Sequence, residues 1–363
     1  MRLFQNSALY PAYIPRLRAL DAGCATFGEA VRAFLNDRFG ACHFLRPVLE
    51  GDPDAFFTNG DDVKLQQMWA KEQGLPSKAS LREILYAQIE NHRSEVFYNL
   101  DPMRYQSDFV RGLPGCVKRA IAWRAAPSPG ADFSAYDCIV SNFAAIRKSH
   151  LARGWKVGHL SPAVDPVMDE YAAADERTTD IVFAGGYSRH HAQRAEILES
   201  VADDCGDLRI AYHIDCSRLT RLAESPIGAL PPLRRYRRPA SIRRFASPPI
   251  FGRELYAAFA NAKIVLNGAI DMAGRERGNM RCFEAIGCGA LLVTDDGLYP
   301  EGFLDQQTMC TYTSPKNAAT VMRDMLRDPI RARGIASRGA AAVRSLYNKE
   351  AQWRSFRSLV GEL

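Results

Sequence analysis

Gly278 and Asn279 stand directly before a run with apolar residues at helical spacing, in the segment RERGNMRCFEAIGCGALLVTDD from Arg275. The start of such a helix offers unpaired N–H groups and the positive end of its dipole to an anion. Arg281 follows one turn in, and Glu284 lies three residues further on the same face; Glu276 precedes Glu284 by eight positions. The amides near Asn279 and Met280, together with Arg281, suit phosphate oxygens, while a carboxylate accepts from sugar or ribose hydroxyls, so unlike charges would serve different parts of one ligand. The same spacing also suits a plain i,i+3 ion pair on an exposed helix.

A second segment, AGGYSRHHAQR, ends a strand in Gly185 and Gly186 and crowds Ser188, Arg189, His190, His191 and Arg194 at the next helix start. Ligands in open parallel sheets sit beyond the carboxyl ends of strands, where glycine turns let backbone approach phosphate. Without GxGxxG spacing, a tight turn with a solvated basic helix end accounts for it equally. A third set, Asp101, Trp123 and Arg124, falls at the ends of two strands of the amino-terminal half, and a Trp there can stack on a sugar face. Core packing of Trp123 and helix capping by Asp101 are the plainer alternatives. Adjacent His190 and His191 have no further ligand at metal spacing, so no metal site is expected.

These residues need parallel strands to carry them. DIVFAGG from Asp180, LRIAYH from Leu208, KIVLN from Lys263 and ALLVT from Ala290 read as strands separated by helical patterns, as in an α/β sheet. Ser314 before Pro315 and Asp328 before Pro329 are N-cap plus N1-proline signatures opening two helices. In the amino-terminal half Ser80 and Glu83 form a capping box, and EVFYNLD from Glu95, CVKRAIAW from Cys116 and YDCIVSN from Tyr136 read as strands. The stretch HLSPAVDPVMDEYAAADERTTD has no sustained period and reads as a crossing between domains.

At 363 residues, two domains are expected, and 47% hydrophobic with 24% charged residues excludes a disordered or fibrous chain. Nine scattered cysteines without a CxxC pair argue for reduced thiols, and MRLFQNSALYPAY lacks the apolar core of an export signal, so a cytoplasmic protein is expected. The net charge of +6 is modest. Arg234, Arg235, Arg237, Arg238, Arg243 and Arg244 are concentrated in LRRYRRPASIRRF, either a solvated loop or a cationic rim that steers anionic donors or rests on acidic lipid at the inner membrane face. No aromatic platform accompanies them, so nucleic acid is not expected.

RCFEAIGCGALLVTDDGLYPEGF, preceded by FGRELYAAFANAKIVLN and followed by GAAAVRSLYNKEAQWRSF, resembles the carboxyl-terminal domain of group 1 glycosyltransferases, especially the bacterial branch named for the spore maturation protein CgeB. The resemblance implies a GT-B fold: α/β, with two Rossmann-like domains facing across a cleft. It places an acceptor domain at 1–162, joined by the last helix at 345–363, and a donor domain at 163–344. It implies transfer of a sugar, with retention, from a nucleotide diphosphate sugar, foremost a UDP-sugar, to an acceptor hydroxyl, without metal or other cofactor. Donor contacts would come from Gly185, Gly186, Ser188, Arg189, Arg194, Gly252, Asn279, Met280, Arg281 and Glu284, catalysis from Arg281 and Glu276, and acceptor contacts from Asp101, Trp123 and Arg124. Glu276 and Glu284 match the family's pair of glutamates separated by seven residues, although Arg277, Gly278 and Asn279 follow Glu276 where the family has an aromatic residue and then glycine. A nucleotide-sugar epimerase or a non-catalytic sugar-nucleotide binder would share the donor pocket.

Overall fold

The computed structural model describes the chain except for residues 175, 188–191, 230 and 269–273 and the side chains of 192, 227, 229, 231 and 232. It forms two compact units, Met1–Ala163 with Met272–Glu276 and Lys349–Leu363, and Val164–Asp271 with Arg277–Asn348. No described helix is long and apolar enough to cross a membrane.

The first unit carries β1 (Leu3–Ser7), β2 (Ala55–Asn59), β3 (Val96–Asn99), β4 (Arg119–Trp123), β5 (Cys138–Ser141) and β6 (Val157–His159). They form a parallel sheet in the order β2-β1-β3-β4-β5-β6. The strand order reverses between β1 and β3, which opens a crevice beyond their carboxyl ends. Phe4, Phe97, Leu85 and Ile89 pack one face of this sheet. The capping box of Ser80 and Glu83 forms as expected at the head of helix Leu81–His92. The closing helix, Lys349–Gly361, lies against the other face, with Phe356 against Tyr98 at 4.9 Å.

The second unit carries β7 (Thr179–Gly185), β8 (Ile210–Ile214), β9 (Ala246–Ser247), β10 (Ala262–Leu266), β11 (Leu291–Asp295) and β12 (Cys310–Tyr312). Their order is β12-β11-β10-β7-β8-β9, again all parallel, and the reversal falls between β7 and β10. This is the order of a classical dinucleotide-binding sheet. Ser314 caps helix Pro315–Arg327 and Asp328 caps helix Pro329–Leu346, both with the expected proline in the first turn. The stretch expected to cross between domains contains a short helix, Met168–Ala172, and the division between the units falls at Ala163 and Val164.

The closing helix is tied to the first unit by one buried cation. Lys349 Nζ donates to the carbonyls of Ala41 (2.7 Å), Cys42 (3.2 Å) and Phe44 (2.8 Å) and to Gln352 Oε1 (3.0 Å). A buried ammonium is stable only when its donors are used in this way. Lys349→Met removes the donor and strands the carbonyls, at an expected cost of about 3 kcal/mol. Urea unfolding measures it; an unchanged midpoint would show that the Lys349 ammonium does not help hold the closing helix.

Candidate functional site

The expected helix forms over Met280–Gly287 with Asn279 as its N-cap. Gly278 before it has φ of 106°, a conformation that a side chain would strain. The Asn279 side chain makes no capping bond to this helix; its Nδ2 instead faces Asn267 Oδ1 at 3.4 Å. Asn267 ends the β10 side of the crevice, where its Nδ2 donates to Thr294 Oγ1 at 3.1 Å and its carbonyl accepts from Tyr312 at 2.7 Å. The start of the motif helix is therefore fixed to the carboxyl ends of β10, β11 and β12.

Two guanidinium groups converge on the end of β7. Arg281 Nε donates to the Ala184 carbonyl at 3.2 Å. Arg194 is buried, lies over the Phe183 ring, and donates through Nε to the Gly268 carbonyl at 3.1 Å and through a terminal nitrogen to the Gly186 carbonyl at 3.5 Å. Gly186 follows β7 and Gly268 follows β10, so Arg194 spans the two sides of the strand-order reversal. Burial lowers its pKa, Tyr312 and Asp295 oppose that shift, and Arg281 adds to it. Both guanidinium groups thus stand at the carboxyl end of β7, where positive charge suits an anion.

Arg281 is also ion-paired with Glu284, so the i,i+3 spacing does form a salt bridge. It is not a surface pair, because Glu284 is 2% exposed. Burial raises its pKa above the ordinary 4.5, opposed by the Arg281 charge and hydrogen bond. Beside this cluster Arg277 pairs with Asp295, and both line a polar cavity of about 330 Å³ with Glu196, Tyr312 and Ser314.

Gly185 and Gly186 lie where the sequence placed them, and a Cβ on Gly185 would meet the Phe183 ring at 3.0 Å. Gly252 opens helix Gly252–Ala260 with φ of 56°. Ser188 and Arg189, with His190 and His191, lie outside the described residues. Glu276, eight positions before Glu284 in the sequence, belongs to the first unit, where its two carboxylate oxygens accept from the amides of Ala144 (2.9 Å) and Ala145 (2.8 Å) at the head of helix Ala144–Leu151. A carboxylate is favoured at a helix amino end.

In the first unit Asp101 lies two residues beyond the end of β3, and Trp123 closes β4 with Arg124 next. Trp123 is buried and packs against the His43 ring at 4.7 Å; burial and the Lys349 charge push His43 down to about 3. Arg124 holds its own loop, donating to Ser128 Oγ (2.7 Å) and the Pro127 carbonyl (3.2 Å). Asp101 pairs with Arg104 at 3.2 Å. Burial raises the pKa of Asp101, and also of Asp61, beyond the end of β2, whose carboxylate accepts from Leu9 N. Between them Asn6 Nδ2 donates to Asn99 Oδ1 at 2.8 Å across the reversal of β1 and β3, and Asn99 Nδ2 donates to Tyr136 at 2.6 Å. Asp61, Asn6 and Asn99 were not singled out from the sequence; the available signal was Asn-Gly-Asp directly after a strand, at 59–61. Among the described residues no cluster of three or more His, Cys, Asp or Glu could hold a metal ion.

The order of the strands, the paired sheets and the glycine turns define the GT-B fold. Residues 187–358, just under half of the chain, match the family described as glycosyl transferase-like. Among solved structures, Anabaena Alr3699/HepE in complex with UDP and glucose is similar over 100% of both chains, with a TM-score of 0.56 at 11% identity. AviGT4, a glycosyltransferase involved in avilamycin A biosynthesis, is similar over 100% of this chain and 99% of its own, with a TM-score of 0.56 at 14% identity. S. aureus TarM matches over 77% of this chain and 59% of its own, with a TM-score of 0.55 at 12% identity. No curated protein matches by sequence.

Glu284 supplies a test of the geometry. A carboxyl whose folded pKa lies above its unfolded value binds more protons when folded, so stability falls as pH rises past the unfolded value. Arg281→Met removes the cation that limits this effect. The urea midpoint of the variant is expected to fall more steeply than that of the parent between about pH 5 and about pH 8; parallel midpoints would mean that Arg281 does not hold the Glu284 charge.

Proposed function

We propose that the chain is a glycosyltransferase that moves a sugar from a UDP-sugar to an acceptor hydroxyl, retaining the configuration at the transferred carbon. The observation that carries this is the convergence of Arg194 and Arg281 on the turn after β7, beside the amides that open the motif helix. The chemistry requires stabilisation of negative charge growing on the departing diphosphate. Donors already fixed by protein hydrogen bonds provide it without reorganising solvent. Arg281, Arg194 and the amides of Asn279 and Met280 take this role without a metal ion, and Gly185, Gly186 and Gly252 leave the backbone open to the nucleotide. Arg189 and Ser188 are assigned to the same donor contact on sequence alone.

Glu284 holds Arg281 in place and accepts from the ribose hydroxyls of the donor. Glu276 is committed to the Ala144 and Ala145 amides, so no step is routed through it. In a retaining reaction the departing phosphate oxygen takes the acceptor proton, which needs no protein base. The family match and the HepE complexes with UDP and UDP-glucose support the donor class. For the acceptor we assign Asp101, Trp123 and Arg124 at the carboxyl ends of β3 and β4. The exposed Arg234, Arg235 and Arg244 supply a cationic rim for acidic lipid at the cytoplasmic face of a membrane.

UDP is expected to raise the melting temperature of the parent, because a ligand held by the folded state alone stabilises it. Arg281→Ala should lower UDP-glucose turnover, by transfer or by hydrolysis, about 100-fold or more with an unchanged circular dichroism spectrum. Glu284→Gln should weaken UDP binding by about 1 to 3 kcal/mol. Full turnover by Arg281→Ala would remove the arginine from the reaction, and absence of any UDP-dependent shift would defeat the donor assignment.

A further inference from the structure

Away from the strand-order reversal, at the amino edge of the second sheet, lies a second cavity of about 530 Å³. It exists because helix Pro329–Leu346 turns Ala332, Ala336 and Ala340 towards it, one small side chain per turn. Ile264 and Leu291 of β10 and β11, with Met325, supply an apolar floor. Its volume suits a small organic molecule.

The charged lining has one sign. Arg177, Lys263, Arg333 and Arg344 reach the cavity and no carboxylate does, among the described residues. Lys263 is neutralised by Asp180 at 2.7 Å and Arg344 by Asp169. Arg177 pairs with no carboxylate among the described residues: its nitrogens donate to the carbonyls of Phe259, Ala260, Ala262 and Cys288. Half-buried, it keeps a net positive charge next to apolar surface, and burial lowers its pKa. Arg333, exposed at the cavity, makes no ion pair among the described residues. Arg177 and Arg333 thus leave two uncompensated charges beside an apolar floor.

We propose that this cavity binds a small amphipathic anion, with the apolar body on the floor beneath the alanines and a carboxylate or phosphate head at Arg333 and Arg177. It is separate from the proposed donor pocket, because Leu291 lines one and Asp295 the other. The two residues are four apart on β11, about 13 Å along the strand.

Isothermal titration of the full chain with decanoate and with decanol tests this. Decanoate is expected to bind saturably at one site and decanol at least about tenfold more weakly, since only the acid can use the guanidinium groups. Arg333→Glu, at an exposed position, should weaken decanoate about tenfold or more and leave decanol unchanged. Ala332→Phe, which fills the cavity, should abolish binding of both, and UDP binding should be the same in all three proteins. No saturable decanoate binding, equal affinity for acid and alcohol, or indifference to Arg333→Glu would overturn the proposal. A loss of UDP binding with decanoate binding intact would instead count only against the donor assignment.

Discussion

A carboxylate that is almost fully buried must keep its cation, and Glu284 keeps Arg281. That requirement fixes the guanidinium on the helix that begins at the strand-order reversal, with its remaining donor capacity directed to the end of β7. The pair costs desolvation that its own attraction only partly offsets. Its consequence is positional: a long flexible side chain becomes a rigid donor. Arg194 is fixed in the same way by carbonyls on both sides of the reversal, so the two charges do not depend on a ligand for their arrangement.

The motif helix is held at its other end by cations as well. Arg344 donates to the Gly287 carbonyl at 3.0 Å and Arg177 to the Cys288 carbonyl at 3.3 Å. These are the carbonyls that a helix leaves without intrahelical partners, at its negative end. An eight-residue helix is too short to be stable through its own hydrogen bonds. Its rigidity comes from Phe283, Ala285 and Ile286 packed in the core and from these terminal contacts. A short helix so constrained keeps its first amides aimed at one place, as stabilisation of developing charge demands.

Four strands of the second sheet, β7, β8, β10 and β11, were legible in the sequence because each holds an apolar run, and two of its helices carry explicit caps; the short outer strands β9 and β12 carry no such run. Ser314–Pro315 and Asp328–Pro329 announce two helices, and VLN and LLVT admit few readings but buried strand. The first sheet was less so. β1 is LFQNS and lies wholly buried between β2 and β3, yet three of its five residues are polar. Gln5 accepts from Leu45 N, Asn6 bonds Asn99 and accepts from Gly60 N, so hydrogen bonds made by distant residues satisfy what the local pattern marks as exposed. β2 ends similarly in buried Thr58 and Asn59. The same limit applies to Glu276: its distance along the chain from Glu284 was readable, whereas the amide pair of Ala144 and Ala145 that captures it is 131 residues away from it at the nearer contact.

Those polar strand ends show that both units obey one rule. In each, the residues at the reversal are polar and bonded to one another across it: Asn6 to Asn99 in the first, Arg194 between Gly186 and Gly268 in the second. The chemistry differs in sign. The second crevice presents two guanidinium groups and helix amides, whereas the first presents neutral amides flanked by Asp61 and Asp101, whose charges burial disfavours and Arg104 in part sustains. A cationic crevice recognises phosphate, and a neutral-to-acidic one recognises hydroxyl groups. The proposed division of labour between diphosphate and acceptor hydroxyl rests on that contrast in each sheet taken separately, since the carboxyl ends of parallel strands are where backbone and side chains are both free to meet a ligand.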